Sequence, residues 1–132
     1  MSSMDKIMRL FLLLCLGLGL NANEICYRLE NAYVVAQDEK NTFLGKIESS
    51  FSGDSIFNEF GNFGSEYSSL SIFNEYGDFG SEFSSYSATN PITLTPPMII
   101  KEGKLVGYIS TNKTIPNSIS PSLLKVLCKE YF

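Results

Sequence analysis

Ser55 to Leu70 reads SIFNEFGNFGSEYSSL, and Ser71 to Tyr86 follows without a gap as SIFNEYGDFGSEFSSY. Twelve of the sixteen positions are identical, and three of the four differences exchange close relatives: Phe60 with Tyr76, Asn62 with Asp78 and Tyr67 with Phe83. Leu70 against Tyr86 is the looser fourth. A third copy starts in register at Ser87 and Asn90, and Pro91 in place of Glu is expected to end it. Each unit reads as a Ser N-cap, one helical turn through I-F-N-E-aromatic, and a stop at Gly61 or Gly77 in a left-handed conformation. The remainder is too rich in Gly and Ser for a continuous helix, so turns and extended pieces are expected there. Two full copies fall short of the three that a solenoid normally needs.

Ten of the seventeen aromatic residues lie between Phe51 and Tyr86. Burying a Phe is worth roughly 1.5 to 3 kcal/mol, so many of these rings must pack on something. Phe57, Phe63, Phe73 and Phe79 are the expected core. Tyr67, Tyr76 and Tyr86 are the candidate stacking or hydrogen-bonding groups of a surface. No basic residue occurs between Lys46 and Lys101, whereas Glu48, Asp54, Glu59, Glu66, Glu75, Asp78 and Glu82 contribute −7. The block is therefore acidic and aromatic, a surface suited to a cationic partner. Its carboxylate spacing matches no dedicated calcium loop, and no cofactor is implied.

The flanks of the block have a common grammar. Ala32 to Ala36 and Thr42 to Ile47 are β-prone runs around the polar Asp38-Glu39-Lys40-Asn41. After Pro96-Pro97, Met98 to Ile100 and Leu105 to Ile109 surround the turn Glu102-Gly103-Lys104. Two hairpins predict one four-stranded antiparallel sheet, with Gly45 and Gly107 in mid-strand marking a bulge or the close approach of another backbone. Ser120 as N-cap and Pro121 at the first helical position predict a C-terminal helix with Leu123, Leu124, Val126 and Leu127 on one broad face, able to cover the sheet. The expected class is α+β: a small sheet from two hairpins, a repeat insert of short helical turns and loops, and a C-terminal helix.

Lys6 and Arg9 precede an apolar run from Leu10 to Leu20, the charged and apolar regions of an export signal with cleavage expected after Ala22. Residues 23–132 then form one exported domain carrying the repeats at 55–90. Cys15 falls in the discarded segment, and Leu14 is too large for a lipoprotein acceptor site. The chain carries −4; losing Asp5, Lys6 and Arg9 removes one net positive charge and leaves −5. Cys26 and Cys128 remain, and in an oxidising compartment such a pair closes. A loop of about 100 residues gives a stabilisation of about 4.7 kcal/mol in the chain-entropy model.

The SIFNE-aromatic-G-x-FGSE-aromatic-SS units, with Ser87, Asn90, Pro96-Pro97 and the Gly-x-x-x-Gly-Tyr strand at Gly103 to Tyr108, resemble a group of small exported bacterial proteins of uncharacterised function. The resemblance covers about residues 42 to 112. It implies export to the periplasm or exterior and brings no site residue.

Function classes narrow by exclusion. There is no His and no Trp, which removes imidazole-based nucleophilic catalysis and most zinc sites. The acidic balance argues against nucleic acid. After signal removal no segment is expected to be integral to a membrane. The leading expectation is a non-enzymatic, envelope-associated interaction or structural module. A carbohydrate or cell-wall binder using tyrosine faces is the alternative, with an envelope protein or glycan as partner. A hydrolase pairing Glu59 with Glu66, or Glu75 with Glu82, is chemically available. The recurrence of the same pair in each unit speaks instead for a duty performed twice.

Overall fold

A computed structural model describes residues 21–132; the stretch read as the body of an export signal lies outside the described residues. The chain runs α1 (Ala22–Leu29), β1 (Tyr33–Val35), β2 (Phe43–Lys46), a long coil, β3 (Met98–Lys101), β4 (Lys104–Ile109), β5 (Ser118–Ile119) and α2 (Pro121–Cys128). The class is α+β. The sheet has five strands in the order β2-β1-β3-β4-β5. Both expected hairpins form, joined through antiparallel β1 and β3 with Val34 opposite Ile99. The purely antiparallel four-stranded expectation is corrected by β5, which adds parallel to β4 and makes the sheet mixed. Two residues paired across a loop leave no alternating pattern to read.

Turn chemistry fixes the hairpins. Asp38 accepts from the Thr42 amide at 2.9 Å and hydroxyl at 2.5 Å, and Asn41 takes a positive φ of 49°. Glu102 and Gly103 have φ of 53° and 77°, the pair of positive values that a two-residue hairpin of native twist requires. Both mid-strand glycines mark a register shift and a close approach. A Cβ on Gly107 would lie 2.7 Å from the Asn117 carbonyl oxygen, and one on Gly45, at φ 106°, would lie 2.7 Å from Phe63 Cβ.

The helix α1 was not read from the sequence, although Asn21 caps it through a 2.9 Å bond from the Glu24 amide. Lys101 donates to the Arg28 carbonyl near its end at 2.8 Å. As expected, α2 starts at Pro121 with the Ser120 hydroxyl accepting from the Leu123 amide at 3.2 Å. Leu124 is buried and Leu123 and Leu127 pack on the core, but Val126 is exposed, so the apolar face is narrower than the sequence implied. Rather than lying over the sheet alone, α2 packs beside α1, held by the Cys26–Cys128 disulfide with Cα atoms 5.4 Å apart.

The coil between β2 and β3 contains no helix. It is a succession of three-residue turns. Amide-to-carbonyl bonds link Asn58 to Ser55, Gly61 to Asn58, Ser68 to Ser65, Ser71 to Ser68, Asn74 to Ser71 and Gly77 to Asn74. At the first position of each polar triplet, the side-chain oxygen accepts from the amide two residues on: Ser55 from Phe57, Asn58 from Phe60, Ser65 from Tyr67, Ser71 from Phe73 and Asn74 from Tyr76, all at 3.0 to 3.2 Å. These are the local side-chain bonds by which Ser and Asn divert a backbone from helix. The period is thus three, with one extra glycine, Gly64 or Gly80, in each sixteen.

Neither Gly61 nor Gly77 has the left-handed φ expected of a helix stop. They make room instead for the side-chain amides of Asn58 and Asn74, which a Cβ would approach to 3.2 and 3.1 Å. The winding also continues past Pro91. Asn90 repeats the Asn58 and Asn74 bonds, reaching back to the Ser84 carbonyl at 3.0 Å and accepting from Ile92 at 3.0 Å. Proline pre-sets φ for the second position of such a turn, which is why it extends the coil.

Coil and sheet share one core. Ile56, Ile72 and Ala88, sixteen residues apart, are fully buried with Val34, Leu44, Ile99 and Leu124. Ser55, Ser71 and Ser87, one place earlier, are buried as well, and all three hydroxyls are satisfied as turn acceptors. Of the expected core rings, Phe57 and Phe79 are buried; Phe63 and Phe73 are half-buried.

Crossing of successive turns sets a sharp steric test. A Cβ on Gly80 would sit 2.2 Å from the Asn74 carbonyl oxygen, whereas Gly53 has nothing within 4 Å. Gly80→Ala is expected to lower urea-denaturation stability by about 3 kcal/mol, since backbone cannot step aside as a flexible side chain would. Gly53→Ala should stay within about 0.5 kcal/mol of wild type. Equal effects would contradict the crossing.

Candidate binding surface

The third position of each triplet faces either the core or solvent, and the sixteen-residue period decides which. Phe51, Tyr67 and Phe83 form one file of exposed rings, and Phe60 and Tyr76 begin a second that Ile92 continues. The five rings are between 85% and 98% exposed, close to the value for a free side chain. Five large rings left exposed at one regular period make this face of the coil a candidate contact surface.

Of the grooves between the files, two are related by the repeat. The first, about 270 Å³, is lined by Glu59, Phe60, Gly64, Glu66, Tyr67 and Phe73, with Lys125 from α2. Sixteen residues on, the second, about 520 Å³, is lined by Glu75, Tyr76, Gly80, Glu82, Phe83 and Thr89, with Ser81 beside them. Each glycine lies where the coil crosses its own backbone, so no side chain stands between the rings.

Electrostatics separates the two. In the first groove Glu59 is paired with Lys129 at 2.8 Å and Lys125 at 3.6 Å. The bond from Lys129, reinforced by both lysine charges, holds the Glu59 carboxyl below its ordinary range, and the same bond, with the charges of Glu59 and Glu130, holds Lys129 above its own. Lys125 also stands 4.7 Å from the centre of the Phe73 ring. Glu66 raises the Tyr67 phenol by hydrogen bonding and by its charge. In the second groove neither Glu75 nor Glu82 has an ion-pair partner among the described residues.

The structure thus brings Glu59, Glu66 and Tyr67 together in one place and Glu75, Tyr76 and Glu82 in another. Tyr86 is separate and half-buried, beside Asp38, Leu70 and Phe79 in a different depression. Phe51, Phe60 and Phe83 were missed as surface groups. For Phe60 and Phe83 the signal was the internal exchange of Phe and Tyr at 60/76 and 67/83, where a hydroxyl is tolerated because the ring faces water. At 57/73 and 63/79 both copies keep Phe, and those rings are buried or half-buried. A glycosylation sequon at Asn112 has a structural explanation: its side-chain amide is buried and donates to the Thr93 carbonyl at 2.9 Å.

As a general acid Glu59 is poorly placed, since two lysines favour its charged form. Among the described residues there is no group of three or more His, Cys, Asp or Glu placed to hold a metal ion. No described helix is long and apolar enough to cross a membrane. No protein-family model matches the chain, no curated protein is similar to it, and no solved structure matches it.

The Glu59 pairing carries a pH signature. Its folded value lies below the unfolded one, so its stabilisation is present above the ordinary Glu value of about 4.3 and is lost as pH falls through the depressed value. Glu59→Gln should melt below wild type at neutral pH, and the two melting curves should converge in strong acid. A gap that persists in acid would show that the pair contributes nothing through charge.

Proposed function

We propose that this chain is an exported, non-enzymatic binding module that presents the outer face of its repeat coil to a partner in the cell envelope. The observation that carries the reading is the pair of exposed ring files at a sixteen-residue period, mounted on a coil whose inner face belongs to the core. Rings left in water forgo roughly 1.5 to 3 kcal/mol each, which a partner recovers by covering them. A rigid mounting limits the ordering cost of association. The disulfide supports an oxidising compartment, consistent with export.

A glycan is the second reading, favoured by the free faces of Tyr67 and Tyr76 and by the repeat of the same ring pair along the coil. The carboxylate hydrolase reading loses support at its Glu59–Glu66 pair, because Glu59 is committed to Lys125 of α2 and to Lys129 just past its end.

The test removes the rings without touching the core. In a pull-down from envelope extract, the variant Phe60→Ala, Tyr67→Ala, Tyr76→Ala, Phe83→Ala should recover at least about tenfold less of any specifically bound component than wild type, which corresponds to about 1.4 kcal/mol. Its thermal midpoint should be nearly unchanged, because all four side chains are exposed. Equal recoveries would remove the ring files from the account.

A further inference from the structure

We infer that the second groove is a receptor for a lysine or arginine side chain on a basic segment of the partner, an inference that rests on the binding-face reading above. The internal repeat supplies the argument. In the first groove the protein seats an ammonium of its own: Lys125 Nζ lies 3.6 Å from a Glu59 carboxylate oxygen and 4.7 Å from the Phe73 ring centre. That is the combined ion-pair and cation–π geometry that recognises an amine.

The second groove repeats the carboxylates and the two flanking rings without the cation, but not the Phe73 ring that faces Lys125. Glu75 stands for Glu59, Tyr76 for Phe60, Glu82 for Glu66 and Phe83 for Tyr67, while Thr89 replaces Phe73 at the base. Lys125 reaches only the first groove, because the disulfide anchors α2 beside α1 at that end of the coil. The coil itself carries no basic residue, and no described ion pair includes Glu75 or Glu82. Two carboxylates between two rings, in a groove nearly twice the volume of the first, therefore lack a counter-charge. The side chains lining it include no ammonium, guanidinium or amide to donate to a sugar, only carboxylates and the hydroxyls of Tyr76, Ser81 and Thr89. This balance favours a cation over a neutral glycan. A single exposed pair binds weakly, so the rings along the files must add to it.

The probe is a blocked hexalysine peptide titrated into the full mature chain at low salt, followed by amide shifts in nitrogen-proton NMR spectra. Shifts are expected from Gly80 to Phe83 and at Tyr76, and not from Gly64 to Tyr67, where Lys125 already sits. Glu75→Gln with Glu82→Gln should weaken binding at least tenfold. The charge-matched pair Glu39→Gln with Glu102→Gln should change it less than twofold. Lys125→Ala with Lys129→Ala, which removes both partners of Glu59, should free the first groove, so that Gly64 to Tyr67 respond and the stoichiometry rises from one peptide to two.

Equal weakening by the two double variants would overturn the inference, since it would show attraction to overall charge alone. Shifts caused by an N-acetylglucosamine hexasaccharide with none from hexalysine would overturn it in favour of a glycan. Either result leaves the binding-face reading standing if the four-ring variant still loses its envelope partner. Loss of that reading requires the ring variant to behave as wild type.

Discussion

A side-chain oxygen at the first position of each triplet that begins with Ser, Asn or Thr, accepting the amide proton two residues ahead, is the contact on which the rest of this molecule depends. Between β2 and β3 about fifty residues run without helix or strand, and their backbone donors must still find partners. Ser, Asn and finally Thr93 supply them in series, and the amides of Asn58, Asn74 and Asn90 bond the carbonyl six residues back. Each such bond contributes only about 1 kcal/mol, and an unmade one at a buried site costs about 1–3 kcal/mol. Repetition turns these small terms into a firm coil.

That coil is anchored at both ends. At its start, Lys46 donates to the Asp54 carbonyl at 2.8 Å and Ile56 to the Lys46 carbonyl at 3.0 Å, covering the free edge of β2. At its end, Thr111 donates to Ala88 at 3.0 Å and Asn112 to Thr93, tying the last turns to the segment after β4. The disulfide closes the remaining side by joining the two helices, and Lys125 of α2 and Lys129 at its C-cap reach Glu59 on the coil. The acidic, aromatic outer face is a consequence of this architecture. Ile and Phe at fixed triplet positions turn inward, so the carboxylates and the interchangeable rings must turn out.

Both hairpins, their glycines, the C-terminal helix and the cysteine pairing were legible in the sequence because each is written locally: β-prone runs, turn residues, a Ser-Pro start and two thiols. The coil was misread for a physical reason. A Ser before Ile-Phe-Asn-Glu satisfies the amide ahead of it equally well as a helix cap or as a three-residue turn, and only the period separates them. The inserted glycines disguise that period as sixteen. Asn21-x-x-Glu24 held a capping signal for α1, but it abuts the apolar leader that drew the reading. Parallel β5, two residues long, had no local signal at all. Of the site, the acidic charge and the tyrosines Tyr67 and Tyr76 were visible. The two grooves were not, because they form only where the coil crosses itself.

Hydrogen exchange across Ser55 to Thr93 tests the central claim most directly. The amides of Phe57, Phe73, Asn74 and Tyr76, each donated to a neighbouring oxygen in the coil, should exchange nearly as slowly as those of β1 and β3, because coil and sheet share one core. If these amides instead exchange at the rate of an unstructured peptide while the strands stay protected, the coil is not a folded element and the surface built on it does not exist.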